Sequence, residues 1–205
     1  MTYAVARLDE LDRFPVANGL EWRPIRRRLG IRSFGVNAYT SEKPGDWVVE
    51  EHREGSGHQE LYLVVRGRAR FTLDGEELDA PAGTLVFLPD ASVLRVAVAE
   101  EKGTTVLAVG GWPDRPFAPS GWEWAFEAYG RAAQGDLESG LAVMQRALEE
   151  RGEEAPALYH LACLETRAGR HDEALVHLRR AVVLDPDLQE RARRDEDLAP
   201  IVGSL

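Results

Sequence analysis

The chain has a single cysteine, Cys163, so no disulfide can form within it, and a reducing cytoplasm is the expected location. It contains no apolar run of the roughly eighteen residues that a membrane-spanning helix needs, so no membrane role is expected. The opening stretch MTYAVARLDELDRF carries acids and lacks an apolar core, and it is not expected to act as a secretory signal. Positive charge is in deficit. Lys and Arg total 25 against 35 Asp and Glu, a net charge of −10, which argues against a general nucleic-acid binder. What remains is ordinary globular material: 44% hydrophobic residues in 205, enough for one large core or two small ones.

The first 35 residues are the least patterned. Leu8, Leu11 and Phe14 among acids suit either a helical turn or a short edge strand. Arg23, Arg26, Arg27, Arg28 and Arg32 follow as a crowd, expected on a solvated edge strand or as partners for nearby acids rather than as an anion grip. Short β-prone runs then recur: Val36 to Thr40, Trp47 to Arg53, Gly57 to Gly83, Thr84 to Leu88, Val93 to Val98 and Thr104 to Val109. An Asp-Gly pair at 74–75 sits between alternating segments and predicts a tight hairpin with both residues at positive φ. Many short strands at regular spacing point to a sandwich or closed barrel, which leaves few exposed edges.

Beyond residue 111 the pattern changes. The Pro- and Gly-rich stretch 112–121 predicts a linker between a β-barrel at 1–111 and a helical domain at 122–205 that ends in a capping helix from Leu188 to Val202. Two helical runs, AQGDLESGLAVMQRAL and RAGRHDEALVHLRRAV, repeat each other at an offset of 34. Gly140 and Ala174 hold the small-residue place that lets paired helices approach, while Met144 and Leu178 hold a bulky one. The expected fold class is α+β, an antiparallel jelly-roll β-barrel followed by α-helical hairpins.

Two family resemblances rest on these motifs. Glu60 followed seven positions later by Gly67, and Gly83 followed by Pro89 in GTLVFLPDAS, resemble the two motifs of the cupin superfamily. The 34-residue repeat is similar to the tetratricopeptide family, with the second copy the closer match. In metal-binding cupins, a pair of His residues before the Glu and a third after the Pro hold a divalent transition metal. Here the pair falls on Glu54 and Ser56, or with longer spacing on Arg53 and Gly55, and the third falls on Leu94. The resemblance therefore implies the barrel without the usual metal site.

The barrel interior is expected to be mainly apolar, with Tyr62 and Val64 sharing the parity of Glu60, and Leu94, Val96 and Val98 lining the same space from a later strand. His58, Glu60, Tyr62, Leu94 and Val96 are the candidate ligand-binding residues. No cofactor is expected. The function expected is a small-ligand-binding or protein-interaction module, taking a small organic ligand in the barrel, a protein partner along the helices, and a second copy as a homodimer. The alternative is a metal-dependent cupin enzyme, an oxygenase or isomerase, using His52, His58 and Glu60. On the helices, Tyr129, Tyr159, Cys163 and Arg167 fall on faces that line the concave groove in tetratricopeptide arrays.

Overall fold

Alternation and turn chemistry decide the strands. In the computed structural model, which describes residues 3–16, 18–117 and 121–205, Asp74 and Gly75 both take positive φ, 47° and 90°. They form the two-residue turn that joins β6 (Arg68–Leu73) to β7 (Glu76–Pro81). At Gly67 the chain does something different. It separates β5 (Gln59–Arg66) from β6 with one residue, at φ 73°, and the two strands belong to different sheets. A Cβ at this corner would stand 2.5 Å from Thr104 Oγ1 and 2.9 Å from Thr104 Cα, so only glycine fits the change of sheet.

The remaining strands are β1 (Phe14–Pro15), β2 (Leu20–Arg23), β3 (Gly35–Ser41), β4 (Trp47–His52), β8 (Leu85–Leu88), β9 (Arg95–Ala99) and β10 (Thr104–Gly111). They form two antiparallel sheets, one of six strands in the order β1-β2-β3-β10-β5-β8 and one of four in the order β4-β9-β6-β7. Of the sandwich or closed barrel expected, the strands form the sandwich, a jelly-roll of two sheets with no strand pairing that joins them among the described residues. Their inner faces share one core: Tyr62, Val64, Val86, Leu88 and Val106 from the larger sheet meet Val48, Phe71, Ala80, Ala97 and Ala99 from the smaller.

The N-terminal arginines do not sit on a solvated strand. Residues Ile25–Leu29 form a short helix, α1, closed by Gly30 in the left-handed region. Arg23 is 4% exposed; it donates from Nε to Thr40 Oγ1 at 3.3 Å and from Nη1 to the Leu8 carbonyl at 2.8 Å. Leu8–Glu10 is a single 3-10 turn, and Phe14 enters an edge strand, so each expected alternative holds for part of the segment.

The chain separates into two compact units, Met1–Pro119 and Ser120–Leu205. The first part of the expected linker packs on the sheets: the Phe117 ring lies against Gly35, and Trp112 stacks near it at 6.1 Å. Residues 118–120 of that linker lie outside the described residues.

The second unit consists of helical hairpins, α2 (Trp122–Ala133) with α3 (Leu137–Arg151) and α4 (Ala155–Arg167) with α5 (His171–Leu184). Asp136 caps α3 by accepting from the Ser139 amide at 3.1 Å. Helices α3 and α5 begin 34 residues apart. The predicted single capping helix is corrected. A short helix, α6 (Leu188–Ala192), is followed by two 3-10 turns, Glu196–Leu198 and Val202–Ser204, because Asp195 breaks the run by capping the Asp197 amide. Leu188, Ala192, Leu198 and Ile201 are buried against α4 and α5.

The close approach of α2 and α3 depends on position 140, where a Cβ would fall 2.6 Å from the Ala128 carbonyl oxygen. Gly140→Val should therefore lower stability by about 2 kcal/mol in chemical denaturation, because a backbone atom cannot yield as a side-chain end would. An unchanged midpoint would show that the helices are free to separate.

Candidate functional site

Strand β5 places Glu60, Tyr62 and Val64 on its inner face, and Tyr62 and Val64 are fully buried. The Tyr62 ring packs 5.5 Å from Phe71, so the space beneath it is filled by side chains. Its hydroxyl turns back toward the rim and donates to Glu60 Oε2 at 2.5 Å. Burial and the adjacent carboxylate hold the Tyr62 pKa well above the ordinary phenol value, so it remains a donor.

Facing this pair across the two sheets is a residue that the motif spacing did not single out. On β9 the inward positions are Arg95, Ala97 and Ala99, all at or near zero exposure, while Val96 and Val98 are half-buried on the other face. The expectation that Leu94 and Val96 line the interior is thus corrected by one residue of register. The Asp74 turn sets that phase: Asp74 Oδ1 accepts from the Leu94 amide at 2.9 Å, and the Asp74 amide donates to the Leu94 carbonyl at 2.9 Å. Phe71 pairs with Ala97, so the bulk on β6 requires a small residue inward on β9. Leu94 is half-buried and precedes the strand.

Arg95 is 0% exposed. Its Nη2 donates to the Ala91 carbonyl at 3.3 Å, and its Nη1 stands 3.7 Å from Glu60 Oε2. Its Nε and Nη1 have no hydrogen-bond partner among the described residues. Cross-strand pairing sets His52, the last residue of β4, directly opposite Arg95.

His52 Nδ1 lies 2.8 Å from the Glu50 carbonyl, which can only accept. Its Nε2 lies 3.6 Å from Glu54 Oε1 and 3.8 Å from Glu60 Oε2. Both ring nitrogens thus face acceptors, the environment of an imidazolium. Burial opposes the charge, but hydrogen bonding to Glu54 and Glu60 outweighs it and lifts the His52 pKa to about 10. Burial also works to raise the Glu54 pKa, yet the bond to His52 and the neighbouring His58 bring it below the usual carboxylate value. The result is a balanced group: Arg95 and His52 against Glu54 and Glu60.

His52, Glu54 and Glu60 offer ligand atoms within 4.8 Å of one another. His58, expected as the middle member, stands aside. It is 8% exposed, its ring lies over Gly110, and it meets Trp112 edge-on at 4.8 Å. Its Nδ1 has no hydrogen-bond partner among the described residues and stands 3.8 Å from Glu54 Oε2. Glu54 is the member that spacing arguments passed over as an empty His position.

The helical unit has a cavity of about 250 Å³ lined by Trp122, Trp124, Ala147, Arg151, Pro156 and His160 among others. Burial pushes His160 down to about 4, so it is a neutral ring there. Tyr159 and Cys163 do not line an open groove. Both are 1% exposed beneath the C-terminal segment, where Tyr159 donates to Asp195 Oδ2 at 2.7 Å. Burial and Asp195 push the Cys163 thiol up to about 12, which leaves it protonated and unreactive.

No curated protein matches this chain in sequence. Among solved structures, an RmlC-like cupin from Shewanella frigidimarina is 16% identical, covering 56% of this chain and 94% of its own, with a TM-score of 0.42. A sugar phosphate isomerase of the cupin superfamily from Silicibacter pomeroyi is 21% identical over 52% of this chain and 74% of its own, TM-score 0.46. A predicted oxalate decarboxylase from Thermotoga maritima is 18% identical over 52% and 97%, TM-score 0.44. Residues 36–115 match the sequence model of the AraC-like ligand binding domain. The matched stretch lies within the sheet-built unit and contains His52, Glu54, Glu60, Tyr62 and Arg95.

Proposed function

We propose that the sheet-built unit is a small-ligand-binding module that works without the transition metal of metal-binding cupins. The observation that carries this reading is Arg95, a fully buried guanidinium on the inner face, 3.7 Å from the glutamate that the cupin motif assigns to metal. A divalent ion on His52, Glu54 and Glu60 would have to displace the proton from His52 Nε2 and stand beside a fixed positive charge. His58, needed for the enzyme alternative, is turned onto Gly110 and Trp112. A ligand, in contrast, finds unpartnered donors at the inner end of a polar group whose outer members, His52 and Glu54, are each about one-third exposed.

A tetratricopeptide-like role in protein association is the finer reading of the helical unit, supported by its 34-residue spacing. The faces of Tyr159 and Cys163 are taken by the chain's own C-terminal segment, so the groove expected there is not offered to a peptide. Self-association through the sheets has a better-placed surface. On β8, the terminal strand of the six-stranded sheet, Leu85 and Phe87 are 63% and 55% exposed, and they pair with Leu63 and Leu61 of β5.

Three outcomes check these readings. Wild-type protein incubated with excess Mn, Fe, Ni or Zn and desalted should retain far less than one equivalent by elemental mass spectrometry; a stoichiometric metal, lost on Glu60→Gln, would restore the enzyme alternative. Phe87→Glu should move the protein from dimer to monomer in sedimentation velocity, and a wild type that is monomeric throughout removes the homodimer. The third concerns pH. The His52 pKa of about 10 in the folded chain lies above the ordinary 6.5, so its stabilisation is complete below pH 6.5 and is lost as pH rises through 10. The gap in unfolding midpoint between wild type and His52→Gln should accordingly shrink across that window, and the His52 ring should keep its imidazolium NMR shifts at neutral pH. A ring that titrates near 6.5 would show that the carboxylates do not hold its proton.

A further inference from the structure

The interior group is unevenly satisfied, and the imbalance has a sign. Its acceptor is crowded: Glu60 Oε2 takes the Tyr62 hydroxyl at 2.5 Å and faces Arg95 Nη1 at 3.7 Å and His52 Nε2 at 3.8 Å. Its donors are not. Arg95 Nε and Nη1 have no hydrogen-bond partner among the described residues although the side chain is wholly buried, and a native fold seldom leaves such groups unmet. The same holds for His58 Nδ1. What the face needs is lone pairs, not protons.

We infer that the inner face around Arg95 binds the carboxylate oxygens of a small organic monocarboxylate. This rests on the metal-free reading of the site and names the ligand class for it. Arg95 is held in place by its Nη2 bond to the Ala91 carbonyl, which leaves Nε and Nη1 to receive oxygen. A hydroxyl offers one oxygen to these two donors, whereas a carboxylate offers two. Charge limits the ligand from the other side. Arg95 supplies one fixed positive charge whose fork one carboxylate matches, whereas a dianion such as phosphate also faces the carboxylates of Glu54 and Glu60. Exposure falls from about one-third at His52 and Glu54 to 11% at Glu60 and 1% at Arg95, so the group grades from surface to interior.

The test uses the full chain and defined probes: sodium acetate, glycolate and benzoate, against acetamide, benzamide and sodium chloride at matched ionic strength. Binding is read by saturation-transfer NMR and by the shift of the thermal midpoint. At least one carboxylate should bind and raise the midpoint while its amide does not, and Arg95→Met should weaken that binding at least about tenfold, the loss of one charge-assisted hydrogen bond. Because Arg95→Met leaves Glu60 without its cation and can cost the fold, Glu60→Gln serves as the second arm. It keeps an acceptor for Tyr62 but removes the competing negative charge, so carboxylate binding should tighten several-fold. Amide and carboxylate probes that bind alike, carboxylates that do not bind, or binding that Glu60→Gln leaves unchanged or weakens, would each overturn the carboxylate assignment while leaving the metal-free reading in place. Stoichiometric metal in the wild type would instead overturn that underlying reading, whatever the carboxylates do.

Discussion

A guanidinium cut off from water must be balanced by the groups around it, and the interior of the sheet-built unit is arranged about that demand. Arg95 cannot shed its proton at any physiological pH, so its charge is permanent. Removing such an ion from water costs several kcal/mol even after relaxation, and one carboxylate at 3.7 Å with one carbonyl bond is a thin return. Replacing a whole buried ion pair by hydrophobic side chains is often neutral for stability, so the pair is weak evidence of a structural role. The proposed ligand would give this charge a role beyond holding the sheets together, and Nε and Nη1 both lack a hydrogen bond among the described residues.

Several local features upstream make this placement possible. Gly67 turns the chain out of one sheet and into the other within a single residue, which sets β6 facing β5 across the core. The Asp74-Gly75 turn then fixes where β6 ends, and Asp74 binds the Leu94 backbone through both its side chain and its amide. From that anchor the next residue, Arg95, must point inward. A slip of one residue would turn the guanidinium to solvent and bring Val96 into the core, because strand side chains alternate faces. The chemistry of the site is thus decided by a turn some twenty residues earlier in the sequence.

This also explains what could be read in advance and what could not. The parity of Glu60, Tyr62 and Val64 is legible only through the motif resemblance, since Leu61 to Val65 is apolar throughout, whereas the Asp-Gly signal is strong by itself between alternating runs. The helical hairpins show in the spacing of small residues such as Gly140 and Ala174. Strand β9 misleads. Its run RVAVA is apolar on both faces apart from Arg95, and the larger valines appear to be the natural core, yet Phe71 opposite Ala97 leaves room only for alanine. Side-chain size on a partner strand, far away in sequence, overrides the local pattern. An arginine flanked by Leu94 and Val96 is the one signal that was present, since a wholly exposed position would rarely sit between two half-buried ones. The helix Ile25–Leu29 hid for a related reason: the arginines suggested solvent, whereas Arg26 within it is buried and Arg23 of β2 before it bonds to Thr40 and the Leu8 carbonyl, contacts that only the tertiary fold supplies.

The helical unit solves a different problem. Two hairpins of this kind bury too little surface by themselves, and arrays ordinarily rely on further repeats or caps. Here the segment after α5 covers that face: Leu188, Ala192, Leu198 and Ile201 pack with Leu158, Tyr159 and Cys163, while Arg191 lies 4.8 Å over the Tyr159 ring and Asp195 accepts its hydroxyl. The aspartate that ends the short helix is the same residue that satisfies the buried tyrosine. A segment that closes the face in this way stabilises the unit by filling the space beside Tyr159 and Cys163, so that stability and an open groove at Tyr159 exclude each other.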